Sequence, residues 1–259
     1  MQVKLLHRAL YSLVIVILPA VSMADSDAEI RKFGGLELGW GTFSFEQKID
    51  KKVVFPVANL TAGIAYERFS LALNVSGSMS DADVSEEDFT GTASRRDYDL
   101  TAGYQVNSNI SIFGGYKDGK TDLDVIGRDE DEPYVGSEFY KQSGPFIGAN
   151  FGWNFTDAGK LDVSLAYASL DAKNQFFADG DGADEGEEPE FDDITGRNSG
   201  DSSGYSFNVS WTMPIGGNLL FRTKFKLNSY DQDINVQGAK FNGIEEESAM
   251  LLVGVIGVF

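Results

Sequence analysis

The chain has 259 residues, 42% of them hydrophobic, with 29 Gly, 6 Pro, no Cys, one His and a formal charge of -19 from 21 basic and 40 acidic side chains. Without cysteine there is no disulfide framework, no thiolate nucleophile and no cysteine-ligated zinc or iron–sulfur site, and the acidic balance excludes the clustered Lys and Arg that displace counterions from nucleic acid. Hydrophobicity is too low for a helical membrane protein, whereas abundant Gly, 12% aromatics and few Pro indicate many strands joined by tight turns.

The first 24 residues are expected to be a signal peptide. Lys4 and Arg8 form a charged n-region, Leu10 to Leu18 an apolar h-region, and Ser22-Met23-Ala24 a small-residue cleavage site. Pro19 interrupts the apolar run well short of the roughly 20 residues that a membrane-spanning helix needs. Cleavage after Ala24 removes the only histidine, His7, and no cysteine follows for lipid attachment. Residues 25–35 are expected to form a short periplasmic segment, and 36–259 the folded unit.

From there, apolar and small or polar residues alternate with period 2, the pattern of strands with one apolar face. Ten segments carry it: Leu36 to Phe45, Ala58 to Tyr66, Phe69 to Val75, Tyr98 to Val106, Ile110 to Lys117, Ile147 to Phe155, Leu161 to Leu170, Tyr205 to Met213, Leu219 to Leu227 and Ala249 to Phe259. Four connections are short and rich in turn formers (Glu67-Arg68, Asn107-Ser108-Asn109, Thr156 to Lys160, Ile215 to Asn218) and alternate with five long ones. Aromatics sort with them: Tyr66, Phe69, Tyr104, Trp153, Phe155, Trp211, Phe221 and Phe259 lie beside short turns or the C-terminus, and Trp40, Tyr98, Tyr116, Tyr167 and Tyr205 at the opposite ends. Two aromatic girdles and loops sorted by length predict an all-β, antiparallel transmembrane barrel of ten strands, with short periplasmic turns and long acidic extracellular loops. Eight and twelve strands are the alternatives; in the twelve-stranded form Lys120 to Val125 pairs as an extra hairpin.

On these features the chain resembles small Gram-negative outer-membrane β-barrel proteins. The most specific match is the C-terminal strand, where Leu251, Val253, Val255 and Phe259 alternate up to a terminal phenylalanine. Gly257 departs from the pattern, since an aromatic is usual there. The resemblance implies the Gram-negative outer membrane as location, Phe259 as an assembly signal, and the barrel assembly machinery, periplasmic chaperones, outer-membrane lipids and lipopolysaccharide as partners of a monomer. Enzymes among barrels of this size, the omptin-like proteases, phospholipases and lipid A modifying enzymes, rely on histidine, which the processed chain lacks. Asp97 and Asp99 remain as a carboxylate pair, but such spacing on one strand face is equally what a polar lumen shows. The expectation is therefore no enzyme, no catalytic residues and no cofactor.

Charge is distributed unevenly. The segments Ser80 to Arg95, Asp118 to Glu138, Phe176 to Ser203 and Asn228 to Glu247 hold 28 of the 40 acids. Such a rim attracts cations at low ionic strength, and also keeps loops solvated. In the longest segment Asp179, Asp181, Glu185, Glu187 and Glu190 match calcium-loop positions 1, 3, 7, 9 and 12. Ala183 and Asp184 break the motif, which leaves weak bridging of divalent cations and no defined metal site. Inside the barrel, the inward-facing parity carries Glu37, Glu67, Asp97, Asp99, Asp162, Arg222, Lys224 and Lys226, beside an apolar wall of Met250, Leu252, Ile256 and Val258. Strand order places Asp97 and Asp99 opposite Lys224 and Lys226, with Arg222 in reach of Glu37 or Asp162. Two functions fit: a narrow passive channel with a side-chain-filled lumen and a cation-attracting rim, or a surface scaffold, adhesin-like, that binds ligands or divalent cations through its loops.

Overall fold

The computed structural model describes residues 30–46, 49–85, 89–128, 133–155, 158–176, 195–236 and 239–259. Every element among them is a strand: β1 (Arg31–Phe45), β2 (Ile49–Tyr66), β3 (Phe69–Ser78), β4 (Ala82–Asp83), β5 (Phe89–Gln105), β6 (Ile110–Arg128), β7 (Pro133–Phe155), β8 (Gly159–Phe176), β9 (Gly196–Gly216), β10 (Leu219–Val236) and β11 (Ala239–Val258). Each long strand pairs antiparallel with its sequence neighbours, β3 pairs with β5 past the two-residue β4, and β1 pairs with β11. The sheet is thus a closed ring of ten long strands, with no free edge. The C-terminus closes the seam: Phe259 and Lys32 exchange both backbone hydrogen bonds, at 2.7 and 2.8 Å.

All ten expected strands are present and all four short turns join the expected pairs. Lys120 to Val125 continues β6 instead of forming a hairpin, so the count stays at ten. β1 starts at Arg31, inside the segment expected to precede the barrel, because Arg31 to Gly35 pair with both β2 and, from Phe33, β11.

The larger difference lies at the opposite end. Strands of 15 to 23 residues, β3 and β4 apart, far exceed the 9–11 that a tilted strand needs to cross a bilayer. Most of what the alternation assigns to long loops is continued strand: β1 ends at Phe45 and β2 begins at Ile49, while β10 ends at Val236 and β11 begins at Ala239. The apolar face switches sides along the strand. In β1, Leu36, Leu38 and Trp40 point outward, Trp40 being 66% exposed, and then Phe43 and Phe45 point inward with no exposure at all. In β2 the inward set is Val53, Phe55 and Val57, and the outward set is Leu60 and Ile64. Where hydrocarbon surrounds the barrel, outward side chains must be apolar; where water does, the rule reverts to that of a soluble sheet. The switch marks the outer boundary of the membrane zone, and the extracellular half of the molecule is a water-exposed barrel with its own core.

β4 belongs to that upper half. β3 stops at Ser78, and after a short break Ala82 and Asp83 pair with Ala93 and Thr92 of β5, so the wall continues upward. Ser78 Oγ, at the break, accepts a hydrogen bond from the Arg95 backbone N–H at 3.2 Å.

Candidate functional site

The lumen is layered along the barrel axis. The lowest layer that crosses the β1–β11 seam is built on Glu37, which is fully buried. Glu37, Gly254 and Arg222 occupy one row across β1, β11 and β10. Gly254 has no side chain, and Arg222 reaches over it to place Nε and Nη2 each 2.8 Å from a different oxygen of the Glu37 carboxylate. Lys224 Nζ and Asn59 Nδ2 donate to the same carboxylate at 2.9 and 2.6 Å. These four donated hydrogen bonds, from a bidentate guanidinium, an ammonium and an amide, satisfy the carboxylate, and two cations stand against its one negative charge. Thr61 Oγ1 accepts from Arg222 at 3.3 Å and donates to Asn74 at 2.8 Å, tying the layer to β3.

The next layer crosses the barrel. Lys226 on β10 donates to Asp99 on the diametrically opposite β5 at 2.6 Å. Beside it, the Lys117 ammonium bonds the Tyr230 hydroxyl and Asn228 Oδ1, and lies 4.6 Å from the Tyr230 ring centroid. Higher still, Arg95 makes a bidentate pair with Asp97 at 3.1 and 2.8 Å, donates to Thr121 at 2.9 Å and approaches Glu246 at 3.6 Å. Glu246 accepts from Gln142 and Gln232 at 2.9 and 2.8 Å.

Above these polar layers sits an apolar one. Phe43, Phe45, Val53, Phe55, Val57, Ala82, Ala93, Leu123, Tyr140, Phe176, Ile234, Ile244, Met250 and Leu252 form one buried cluster, contributed by nine of the eleven strands, in which Met250 and Leu252 reach down beside Lys226 and Lys224. Tyr140 is its hub, in ring contact with Phe43, Phe45 and Phe176 at centroid distances of 4.6 to 5.8 Å. The Arg95 guanidinium lies 5.1 Å from the Phe43 ring centroid, so the polar and apolar layers pack directly on one another.

Two cavities lie lower down. A cavity of about 240 Å³ lies in mid-lumen among Asp99, Lys117, Arg222, Lys224 and Lys226, with serine and asparagine walls. A second of about 860 Å³ lies at the periplasmic mouth, lined by Arg31, Phe33, Lys160, Asp162, Arg222 and Val258 among others.

Of the charges expected in the lumen, Arg222 with Glu37 and Lys226 with Asp99 meet as the strand order implies. Lys224 turns to Glu37 instead of Asp97, Asp97 pairs with Arg95, and Asp162 pairs with Lys160 of its own strand at 2.6 Å. Glu67 is a correction: it sits exposed in the β2–β3 turn, with a φ of 51°, at the rim of the periplasmic end and not on a strand wall inside the lumen. Met250, Leu252 and Ile256 form the buried inner wall as expected. Three lumen residues escaped the sequence reasoning. Arg95 and Glu246 fall in segments counted there as acidic loops, although both continue the inward parity of β5 and β11. Lys117 has the inward parity of β6 and was legible from it. Asp179, Asp181, Glu185, Glu187 and Glu190 lie outside the described residues.

Phe259 is 74% exposed on the outer surface, and its ring lies over Gly257, where a Cβ would come within 2.7 Å of it. The ring therefore fills the space that the missing aromatic at position 257 would take.

No protein-family model matches the chain, and no curated protein matches it in sequence. Solved structures do match in shape. The outer membrane protease OmpT from Escherichia coli is 13% identical, with 90% of this chain and 97% of that one covered and a TM-score of 0.53. The translocator domain of autotransporter NalP from Neisseria meningitidis is 13% identical, covering 90% and 89%, with a TM-score of 0.49. The outer membrane protein OprG from Pseudomonas aeruginosa is 12% identical, covering 88% and 95%, with a TM-score of 0.35. An apolar outer band, a polar lumen, closure without a free edge and the match to OmpT together make this the fold of the small Gram-negative outer-membrane β-barrels.

Proposed function

We propose that the chain is a non-enzymatic outer-membrane barrel, closed to solutes by its own side chains, that holds an acidic extracellular β-structure at the cell surface as a binding scaffold. The observation that carries this reading is the apolar layer: residues from almost every strand, none more than 6% exposed, converge across the extracellular half of the lumen. Hydrated ions do not cross such a layer, because each would shed its water without a replacement ligand. A narrow passive channel is thus the weaker alternative. The absence of catalysis is supported by the state of the carboxylates. Asp97 and Asp99 do not face each other as a pair; each is committed to its own cation, Arg95 or Lys226.

In this reading the signal peptide is removed, periplasmic chaperones deliver the chain, the assembly machinery reads Phe259, and the product is a monomer among lipopolysaccharide. The acidic β8–β9 connection and the outward charges of the upper strands then meet ligands or the divalent ions of the outer leaflet. The test is single-channel recording of the folded chain in planar bilayers, paired with deletion of residues 178–194. We expect no steady conductance, and a deletion variant that inserts normally but loses surface binding of divalent cations. A steady cation-selective current from the wild type would overturn the closed barrel.

A further inference from the structure

We infer that the mid-lumen cavity is a binding site for a small oxyanion of the phosphate type, entered from the periplasm. Charge balance is the first reason. Four cations, Lys117, Arg222, Lys224 and Lys226, face or flank this space, against two carboxylates, Glu37 and Asp99. Arg95, Asp97 and Glu246 form a separate layer above, and Lys160 with Asp162 neutralise each other below. The cavity wall thus holds two cations more than it holds carboxylates, the layer above, one cation against two carboxylates, offsets one of them, and one positive charge is left in a confined volume of a protein whose total charge is -19. An uncompensated buried charge is costly, and an anion offsets that cost.

The wall chemistry is the second reason. Lys117 is buried, lines the cavity, and has no carboxylate within 4 Å among the described residues; its hydrogen-bond partners are Tyr230 and Asn228. Ser206, Ser210, Asn59 and Asn74 supply neutral polar groups around the same space. Asn208 gives its Nδ2 to Ser164 at 3.3 Å, while its Oδ1 is buried with no hydrogen-bond partner among the described residues. An orphaned acceptor beside excess cations suits an oxyanion that still carries one hydroxyl, which hydrogen phosphate does and sulfate does not.

Access is the third. The mid-lumen cavity and the periplasmic vestibule share Arg222, and Arg31 and Lys160 stand at the vestibule mouth. The opposite end is closed by the apolar layer. Anions are thus drawn in from the periplasmic side, down a gradient of positive potential that ends blind. Binding here does not depend on whether the lumen conducts.

The test is calorimetric titration of the processed chain, folded in detergent, with inorganic phosphate at neutral pH, with sulfate and chloride titrated in parallel. Folding of every variant is checked by its compact, heat-modifiable migration in electrophoresis. We expect saturable phosphate binding, several-fold weaker sulfate binding, and none from chloride at equal concentration. Lys117→Gln removes a cavity charge and should weaken phosphate at least tenfold. Asp99→Asn removes a negative charge from the same wall and should tighten it at least threefold. Opposite signs are the signature of a charged site, since damage to packing weakens binding in both variants. Should Lys117→Gln not fold, Asp99→Asn decides alone. Chloride or sulfate binding as tight as phosphate, or Asp99→Asn failing to tighten it, overturns the site.

Discussion

Glu37 concentrates the energetics of the lumen in one side chain. It is fully buried and holds Arg222, Lys224 and Asn59, so its removal leaves two cations without a partner in a confined space. Breaking a buried ion pair from one side typically costs about 3–5 kcal/mol, whereas replacing every member with apolar groups of similar size is often neutral. Glu37→Ala is therefore expected to lower stability by about 3–5 kcal/mol, seen as a lower urea midpoint in lipid vesicles. The triple change Glu37→Leu, Arg222→Met, Lys224→Met should recover most of that loss. An unchanged midpoint in Glu37→Ala would mean that water already screens these charges. Gly254 makes the same layer possible by its bareness: a Cβ there would meet the Leu36 carbonyl oxygen at 2.1 Å and Glu37 Cα at 2.5 Å, both backbone atoms that cannot yield. Gly254→Ala should fold poorly, while Gly77→Ala, whose nearest neighbour is the Arg95 carbonyl at an ordinary 3.5 Å, should fold as the wild type does.

Strands, taken as elements, divide at the membrane boundary, and this division explains what alternation could and could not reveal. Below it, outward Leu36, Leu38, Leu60 and Ile64 against inward Glu37 and Asn59 made each strand, its facing and its partner legible. Above it the inward set becomes Phe43, Phe45, Phe55, Tyr230 and Ile234, and the outward set Ser229, Asp231 and Asp233, so a template with its apolar face outward stops matching where the strands do not stop. Arg95 and Glu246 were lost to the lumen for that reason alone. The long connection that remains joins β8, ending at Phe176, to β9, beginning at Gly196. Protease added to whole cells should cut between these two residues and leave the strands intact; cutting seen only in permeabilised cells would invert the topology. At the other end of the chain, Phe259 offers two separable contributions. Its backbone closes the β1–β11 seam through Lys32, while its exposed ring packs over Gly257 on the outside. Phe259→Ala keeps the backbone bonds and removes only the ring. If the ring is the assembly signal, Phe259→Ala should lower outer-membrane levels nearly as much as deletion of residue 259; normal levels in Phe259→Ala with loss in the deletion would assign the effect to strand closure instead.

At the scale of the whole molecule, the position of the closure decides how the lumen behaves. If the paired charges of the lumen were the plug, removing Lys224 and Lys226 together should open a path and raise cation selectivity. The ion pairs are there, and Lys226 does bridge opposite strands to Asp99. Yet they occupy the middle of the barrel, beneath a layer in which Phe43, Phe45, Phe55 and Tyr140 are at most 1% exposed. A path widened at mid-height still ends against that layer, and dewetting of an apolar constriction is itself an effective barrier to ions. Lys224→Ala with Lys226→Ala is accordingly expected to enlarge the blind pocket and leave conductance at the silent baseline. Truncation of Phe43, Phe55 and Tyr140 together to Ala removes three large side chains from the layer and should produce a current, at a cost of several kcal/mol in stability that the closed hydrogen-bonded ring has to absorb. Cation preference of that current would follow, because Asp97 and Glu246 lie immediately below the truncated residues and the outer rim is acidic. Both variants are read in the same bilayer recording. A current from the lysine pair, with silence from the aromatic triple, would move the gate back down to the ion pairs and make the apolar layer merely structural.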